Sequence, residues 1–90
     1  MHLDTRIAVI SIIVEDPESV EKLNGYLHDC SSYIIGRMGI PYRTDNRRIS
    51  IISVAIDAPQ DQISALSGRI GKLPGVSVKT AYSAVINHGD

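Results

Sequence analysis

Runs of β-branched and other apolar residues divide the chain into four predicted strands. We expect the strands at 6–14, 33–40, 48–57 and about 76–82. Ile, Val and Tyr are typical of strands, and the first of these runs is too short for a typical helix. Two glycines inside the second strand, Gly36 and Gly39, predict a bulge or a twist there.

Apolar residues three and four positions apart predict two helices between these strands. The first helix carries Val20, Leu23, Leu27 and Cys30, and the second carries Ile63, Leu66, Ile70 and Leu73. This spacing places each set on one face of its helix. Asp16 and Pro17 begin the first helix, because Asp can cap free N–H groups and Pro fits the first helical position. Ala58 and Pro59 begin the second.

The resulting order, βαββαβ, predicts an α+β, ferredoxin-like two-layer sandwich. An antiparallel four-stranded sheet would carry both helices on one face. The two helical stripes coincide after a shift of 43 positions, from Val20 to Ile63, which indicates a duplicated strand–helix–strand unit. We expect one domain over residues 1–90, with 1–5 as a loose leader and 84–90 as a tail or a short edge strand.

A tight turn at Pro74-Gly75 separates the second helix from the last strand. Pro74 cannot continue the helix, and Gly75 can adopt the positive φ that such a turn requires. Small residues lie beside the apolar stripe of the same helix: Ser64, Ser67, Gly68 and Gly71. Each mid-helix glycine costs about 0.5–1 kcal/mol relative to alanine, so we expect close packing along this strip. Its packing partner is either the sheet of the same chain or a helix of another subunit.

The two central strands are apolar on both faces. One set, which includes Ile10 and Val54, is expected to face the helices. The opposite face then carries Ile7, Val9, Ser11, Ile13, Ile49, Ile51, Ser53 and Ala55. An uncovered apolar surface of this size usually marks an interface. We therefore expect a homodimer or homotetramer that buries this face or extends the sheet between subunits. Alternatively, the C-terminal tail folds back over it.

Charge and cysteine content limit the partners and the compartment. Lys and Arg number 9, Asp and Glu number 10, and the net charge is -1. A general nucleic-acid binder or a protein of anionic membranes would be clearly basic, so we expect neither partner. The single cysteine, Cys30, excludes an intramolecular disulfide and fits a reducing compartment. Because no signal-peptide pattern and no bilayer-length apolar run are present, we expect a cytoplasmic protein.

An arginine-rich hairpin is the main candidate for binding chemistry. The candidate ligand residues at or near this hairpin are Arg37, Tyr42, Arg43, Arg47 and Arg48. One interpretation is an anion or nucleotide site, because guanidinium groups bind phosphate and carboxylate with two hydrogen bonds. The other is a solvated loop at 41–47 whose charges protect a sheet edge. No nucleophile and base lie at a recognisable spacing, so we expect no catalytic residues.

Few side chains offer metal ligands. The histidines and the cysteine are His2, His28, His88 and Cys30. Residues two positions apart do not share a helix face, so His28 and Cys30 do not form a pair on one helix. A metal cage built across subunits is the remaining alternative. We expect neither a metal nor a cofactor.

Three segments resemble the regulators assigned to the iron-only hydrogenase system. They are RIAVISIIVED at 6–16, YIIGRMGIPY at 33–42 and ISALSGRIGKLPGVSVKTAYS at 63–83. The resemblance implies an ACT-like fold, similar to the C-terminal domain of nickel-responsive repressors. It also implies dimers or tetramers, and a regulatory role with a small-molecule effector or a protein partner.

Two features depart from these relatives. Amino-acid-binding ACT domains commonly have a glycine between the first strand and the first helix, where this chain has Glu15, Asp16 and Pro17. The histidine and cysteine ligands of the nickel repressors are not reproduced either. The expected function is a non-catalytic, oligomeric regulatory or sensor module. The alternative is a small anion- or nucleotide-binding protein or enzyme centred on the arginine hairpin.

Overall fold

The structure, a computed structural model, describes residues 4–87. Its main elements are β1 (Thr5–Val14), α1 (Val20–Asp29), β2 (Ile34–Arg43), β3 (Arg48–Ala58), α2 (Gln60–Gly71) and β4 (Val76–Asn87). The strands form one antiparallel sheet in the order β2-β3-β1-β4. This arrangement confirms the predicted βαββαβ, ferredoxin-like fold.

Alternating residues of the two central strands form the sheet side of the hydrophobic core. The buried strand residues are Ala8, Ile10, Ile12, Val14, Ile52, Val54, Ile56 and Ala58. The buried apolar residues on or next to the helices are Leu23, Leu27, Cys30, Ile63, Leu66, Ile70 and Leu73. Both predicted helical stripes therefore face the sheet, with Val20 only partly buried. Each large apolar side chain buried in this layer contributes about 1.5–3 kcal/mol, which explains why the helices lie over β1 and β3.

A short turn of 3-10 helix, Pro17–Ser19, leads into α1. Asp16 Oδ1 accepts a hydrogen bond from the Glu18 N–H at 3.0 Å, which satisfies a donor that the helix itself leaves free. Pro17 is the first residue of the turn, where its missing N–H costs nothing. The predicted start of the helical segment is correct, although its first turn is 3-10 rather than α.

Two hydrogen bonds join this turn to the turn that follows α2. The Glu15 N–H donates to the Gly75 carbonyl at 2.8 Å, and the buried Ser19 hydroxyl donates to the Pro74 carbonyl at 2.6 Å. Gly75 has a φ of 68°, in agreement with the expected positive value. A Cβ at this position would lie 2.6 Å from Asp16 Cβ. The turn thus requires glycine both for its backbone conformation and for the space it occupies.

The β2–β3 hairpin is longer than predicted. β2 continues through Pro41 and Tyr42 to Arg43, which pairs with Arg48, so the polar loop predicted at 41–47 is shorter. Proline is compatible with β2 because an edge strand has N–H positions that need no partner. The register shifts between Ile34 and Gly36, where a bulge was expected, whereas pairing at Gly39 is regular.

β4 also extends beyond its predicted range. Asn87 pairs with Thr5, after a register shift in which β4 carries extra residues between Tyr82 and Ile86, opposite Arg6 and Ala8 of β1. Residues 84–87 therefore continue the sheet, and Thr5 belongs to β1 rather than to the leader. Residues 1–3 of the predicted leader and 88–90 of the predicted tail lie outside the described residues. No helix within 4–87 is both long enough and apolar enough to cross a bilayer.

We expect Gly75→Ala to lower the free energy of unfolding by about 2–4 kcal/mol, because it adds left-handed backbone strain and a steric overlap with Asp16. Urea denaturation followed by circular dichroism measures the change. The matched control is Gly68→Ala, whose added Cβ would meet nothing within 4 Å and which we expect to stabilise α2 by about 0.5–1 kcal/mol. Equal stability of the two variants would contradict the geometry of the turn.

Candidate functional site

The sheet face that points away from the helices is called the open face. All eight residues predicted to share it do so: Ile7, Val9, Ser11, Ile13, Ile49, Ile51, Ser53 and Ala55. Across the central pair, Ser11 lies opposite Ser53 and Ile13 opposite Ile51. Three of its isoleucines, Ile7, Ile13 and Ile51, remain about two-fifths exposed, at 41%, 43% and 43%, so no part of the described chain covers them.

Edge strand β2 contributes three highly exposed apolar residues to the open face. Met38, Ile40 and Tyr42 lie opposite Ser53, Ile51 and Ile49. Their side chains are 70%, 60% and 54% exposed. Met38 and Ile40 lie in the predicted strand but were not among the residues predicted for this face. Tyr42 was predicted in the hairpin loop because the predicted strand ended at Ile40. Their spacing of two was the signal that would have revealed them.

The opposite margin of the open face carries small or polar residues over 77–81. On β4, Ser77, Lys79 and Ala81 lie beside Ile13, Ser11 and Val9 of β1. The apolar part is therefore centred on β2, β3 and β1. Three strands spaced about 4.8 Å apart, with roughly eight residues each, give this part an area on the order of 400 Å² in projection. Apolar patches of that size on soluble proteins are often functional.

The five residues of the predicted anion site do not form one cluster. Tyr42 lies on the open face, whereas Arg43 pairs with Arg48 at the end of the hairpin. Arg47 forms a salt bridge with Glu15. The hairpin end surrounds a shallow cavity of about 340 Å³ lined by residues 43–48, which include Asp45 and offer no apolar wall. Its arginines are near one another, but one already has a carboxylate partner.

Arg37 lies apart from the hairpin, in what is called the α1–β2 groove. Its Nη2 donates to Asn24 Oδ1 at 3.3 Å. The groove has two adjoining parts of about 310 and 240 Å³, and Asn24 and Arg37 line both. One part is also lined by Leu27, His28, Ser31 and Ile34, and the other by Val20, Gly39, Ile40, Pro41, Ser50 and Ile52. The groove exists because β2 extends beyond the edge of the helix layer. No spacing of residues in the sequence predicts this arrangement.

Small residues of α2 pack mainly against the chain's own β4. A Cβ on Gly71 would lie 3.1 Å from Val78 Cγ1, and the hydroxyls of Ser67 and Thr80 are 2.8 Å apart. Ser64 is 3.5 Å from the Tyr82 hydroxyl. Gly68 has open space around it. Close packing on the same sheet accounts for Gly71 and Ser67, and it leaves only Gly68 without a structural partner.

The candidate metal ligands are not brought together in the part of the chain that the structure covers. Cys30 is buried, while His28 is exposed. Within residues 4–87, no group of three or more His, Cys, Asp or Glu side chains is arranged to hold a metal ion. His2 and His88 lie outside the described residues.

A family comparison decides the relationship that the sequence segments suggested. Residues 6–80 match the TM1266-like family, described as "Iron-only hydrogenase system regulator, putative". The chain belongs to this family. Among solved structures, the uncharacterized protein TM1266 from Thermotoga maritima is 33% identical, with 87% of this chain and 96% of that chain covered and a TM-score of 0.77. No curated protein sequence is similar enough to the chain to extend this comparison.

More distant solved structures share the fold of this family member. The ACT domain of GTP pyrophosphokinase from Chlorobium tepidum is 18% identical, with 90% of this chain and 89% of that chain covered and a TM-score of 0.57. CPII from Thiomonas intermedia K12, bound to ADP, AMP and acetate, is 12% identical, with 94% and 93% covered and a TM-score of 0.57. At these identities the likeness shows an ACT-like, ferredoxin-like fold.

We expect the Arg47–Glu15 pair to contribute little stability, because the side chains are 55% and 45% exposed and solvent screens such pairs. A double-mutant cycle of Arg47→Gln and Glu15→Gln, measured by urea denaturation, should give a coupling energy of about 0.2–1 kcal/mol. The coupling should fall further in high salt. A coupling above this range that salt leaves unchanged would show that the hairpin end is a rigid, desolvated site rather than a solvated one.

Proposed function

We propose that this chain is a non-catalytic regulatory module that works as a homo-oligomer, in which two copies pack their open faces together and respond to a small ligand or a protein partner. The observation that carries the proposal is the open face. Its apolar side chains extend over three strands and include Met38, Ile40 and Tyr42, which are more than half exposed. Exposed apolar surface of this extent favours a partner that removes it from water.

A second copy fits this surface better than a segment of the same chain. The alternative was that the C-terminal tail folds back over the open face. Residues 84–87 of that tail lie instead in the plane of the sheet as part of β4, paired with β1. A standard interface buries about 800 Å² per partner. Because side chains protrude from the sheet, the accessible area of the open face is larger than its projected area. A symmetric pair would therefore bury an area per partner that approaches this value. Homodimer interfaces are also the more apolar class.

The distribution of charge on the open face is compatible with self-association. Its centre holds the uncharged pair Ser11 and Ser53, whereas the charged residues Lys79 and Asp57 lie toward its margins, on β4 and near the end of β3. In a twofold-symmetric contact the same patch meets itself, so a central charge would face its own copy and oppose binding. Ser11 and Ser53 avoid that repulsion.

The regulatory role is supported by the family's description as a regulator of the iron-only hydrogenase system. The separation of the arginines argues against the alternative of an enzyme or nucleotide-binding protein centred on the hairpin, because Arg37 and Tyr42 do not point to the same site as Arg43. A cytoplasmic location is part of the proposal, and the free thiol of Cys30 supports it.

We expect Ile51→Lys to weaken self-association by at least about 100-fold. The substitution places an ammonium group at the centre of an apolar contact, where the charge would lose its water. Sedimentation velocity over a range of concentrations measures the oligomer. Ile51 is 43% exposed, so the lysine can reach water in the monomer and the fold is retained, as circular dichroism would check.

The matched control is Ala65→Lys, which adds the same charge on the exposed side of α2, away from the open face. It should leave the oligomer unchanged. A wild-type protein that remains a monomer at tens of micromolar, or an Ile51→Lys variant that associates as strongly as wild type, would refute the proposed use of the open face.

A further inference from the structure

The geometry points to the α1–β2 groove as a binding site for a small carboxylate that carries a short apolar tail. Arg37 binds the carboxylate, and the tail lies on the apolar residues of the groove. This inference rests on the proposed regulatory function, because it names the effector class and the place where the effector binds. No residue of the predicted hairpin site other than Arg37 takes part.

Charge is the first argument. Of the five N–H donors that a guanidinium group offers, one from Arg37 is used by Asn24 Oδ1. The described residues that line the two parts of the groove include no Asp or Glu. The positive charge of Arg37 is therefore not neutralised inside the groove. A carboxylate can accept two parallel hydrogen bonds from such a group, in the fork geometry that arginine favours.

The lining of the groove decides between a simple anion and a carboxylate with a tail. Leu27 and Ile34 flank Arg37 in one part, and Val20, Pro41 and Ile52 line the other. These two parts together fall within the size range of about 300–1,000 Å³ that is usual for small-molecule sites. Inorganic phosphate would leave this apolar surface in water, whereas a branched aliphatic tail would cover it. The aliphatic carboxylate is therefore the better fit.

Gly39 keeps the second part of the groove open. A Cβ at this position would meet nothing within 4 Å, and its φ is not positive, so neither the backbone nor neighbouring atoms require glycine. β-Branched residues would suit a strand better. The absence of a side chain at position 39 leaves this space for the apolar tail of the carboxylate.

The groove and the open face are compatible because they lie on opposite sides of the sheet. Alternation along β2 directs Arg37 and Gly39 toward the helix side and Met38 and Tyr42 toward the open face. Two copies packed through their open faces leave the groove accessible. β2 is then the element that both the carboxylate and the second copy contact, so binding on one side can bias packing on the other.

The test is a titration of the full chain with 3-methylbutanoate at constant ionic strength, followed by two-dimensional NMR of backbone amides and arginine Nε–H groups. We expect saturable shifts at Arg37, Gly39 and Asn24, with a Kd below about 10 mM, as suits a ligand of this size. Arg37→Gln should weaken binding by about 10-fold or more. Gly39→Val should also weaken it by blocking the groove, while its melting temperature stays at or above that of wild type.

The matched control is Arg43→Gln, which removes the same charge from the same strand at a position that lines neither part of the groove. It should keep wild-type affinity. Absence of saturable binding, loss of binding in Arg43→Gln, retention in Arg37→Gln or Gly39→Val, or equal affinity for inorganic phosphate would each overturn the inference.

Failure of this site is distinguishable from failure of the proposed assembly. The titration is repeated on the Ile51→Lys variant, whose substitution lies on the open face. Binding with wild-type affinity in a monomeric Ile51→Lys chain supports the groove whatever the oligomer does. A wild-type oligomer that binds no carboxylate retains the assembly and removes this ligand site.

Discussion

Two helices cannot cover both faces of a four-stranded sheet, and this limit decides where the candidate surfaces lie. α1 and α2 pack over the buried side of β1 and β3. The other face is left with a broad apolar surface that no part of residues 4–87 covers. The same limit leaves β2, at the sheet edge, without a helix above it. The uncovered helix side of β2 becomes the wall of the α1–β2 groove.

The contact between the turn before α1 and the turn after α2 fixes the position of the two halves of the chain, and so of these surfaces. The turn before α1 and the turn after α2 are linked through the Glu15–Gly75 and Ser19–Pro74 hydrogen bonds. Because Gly75 approaches Asp16 more closely than any side chain would allow, the two strand–helix–strand units meet at a fixed spacing. The apolar stripes of both helices then share one core instead of forming two small ones.

Membership of a family whose description names a regulator directs attention to surfaces that bind other molecules rather than to catalytic groups. β2 is central to both such surfaces here, since its residues alternate between the groove and the open face. An edge strand of this kind has fewer packing constraints than a central one, and nine of its ten residues are exposed. It is therefore the element of this fold on which contacts with a ligand or a second copy would have most effect.

The sequence by itself determined the element order, the helical stripes, the need for glycine at position 75 and the eight central residues of the open face, because local periodicity and turn chemistry fix these features. Only the tertiary structure decided that Arg37 donates a hydrogen bond to Asn24 and that Tyr42 lies on the open face with Met38. Their placement depends on how far β2 pairs with β3 and how far it extends past α1. Those distances arise from contacts between segments far apart in sequence. The spacing of two from Met38 to Tyr42 indicates a shared face only once β2 is known to reach Arg43.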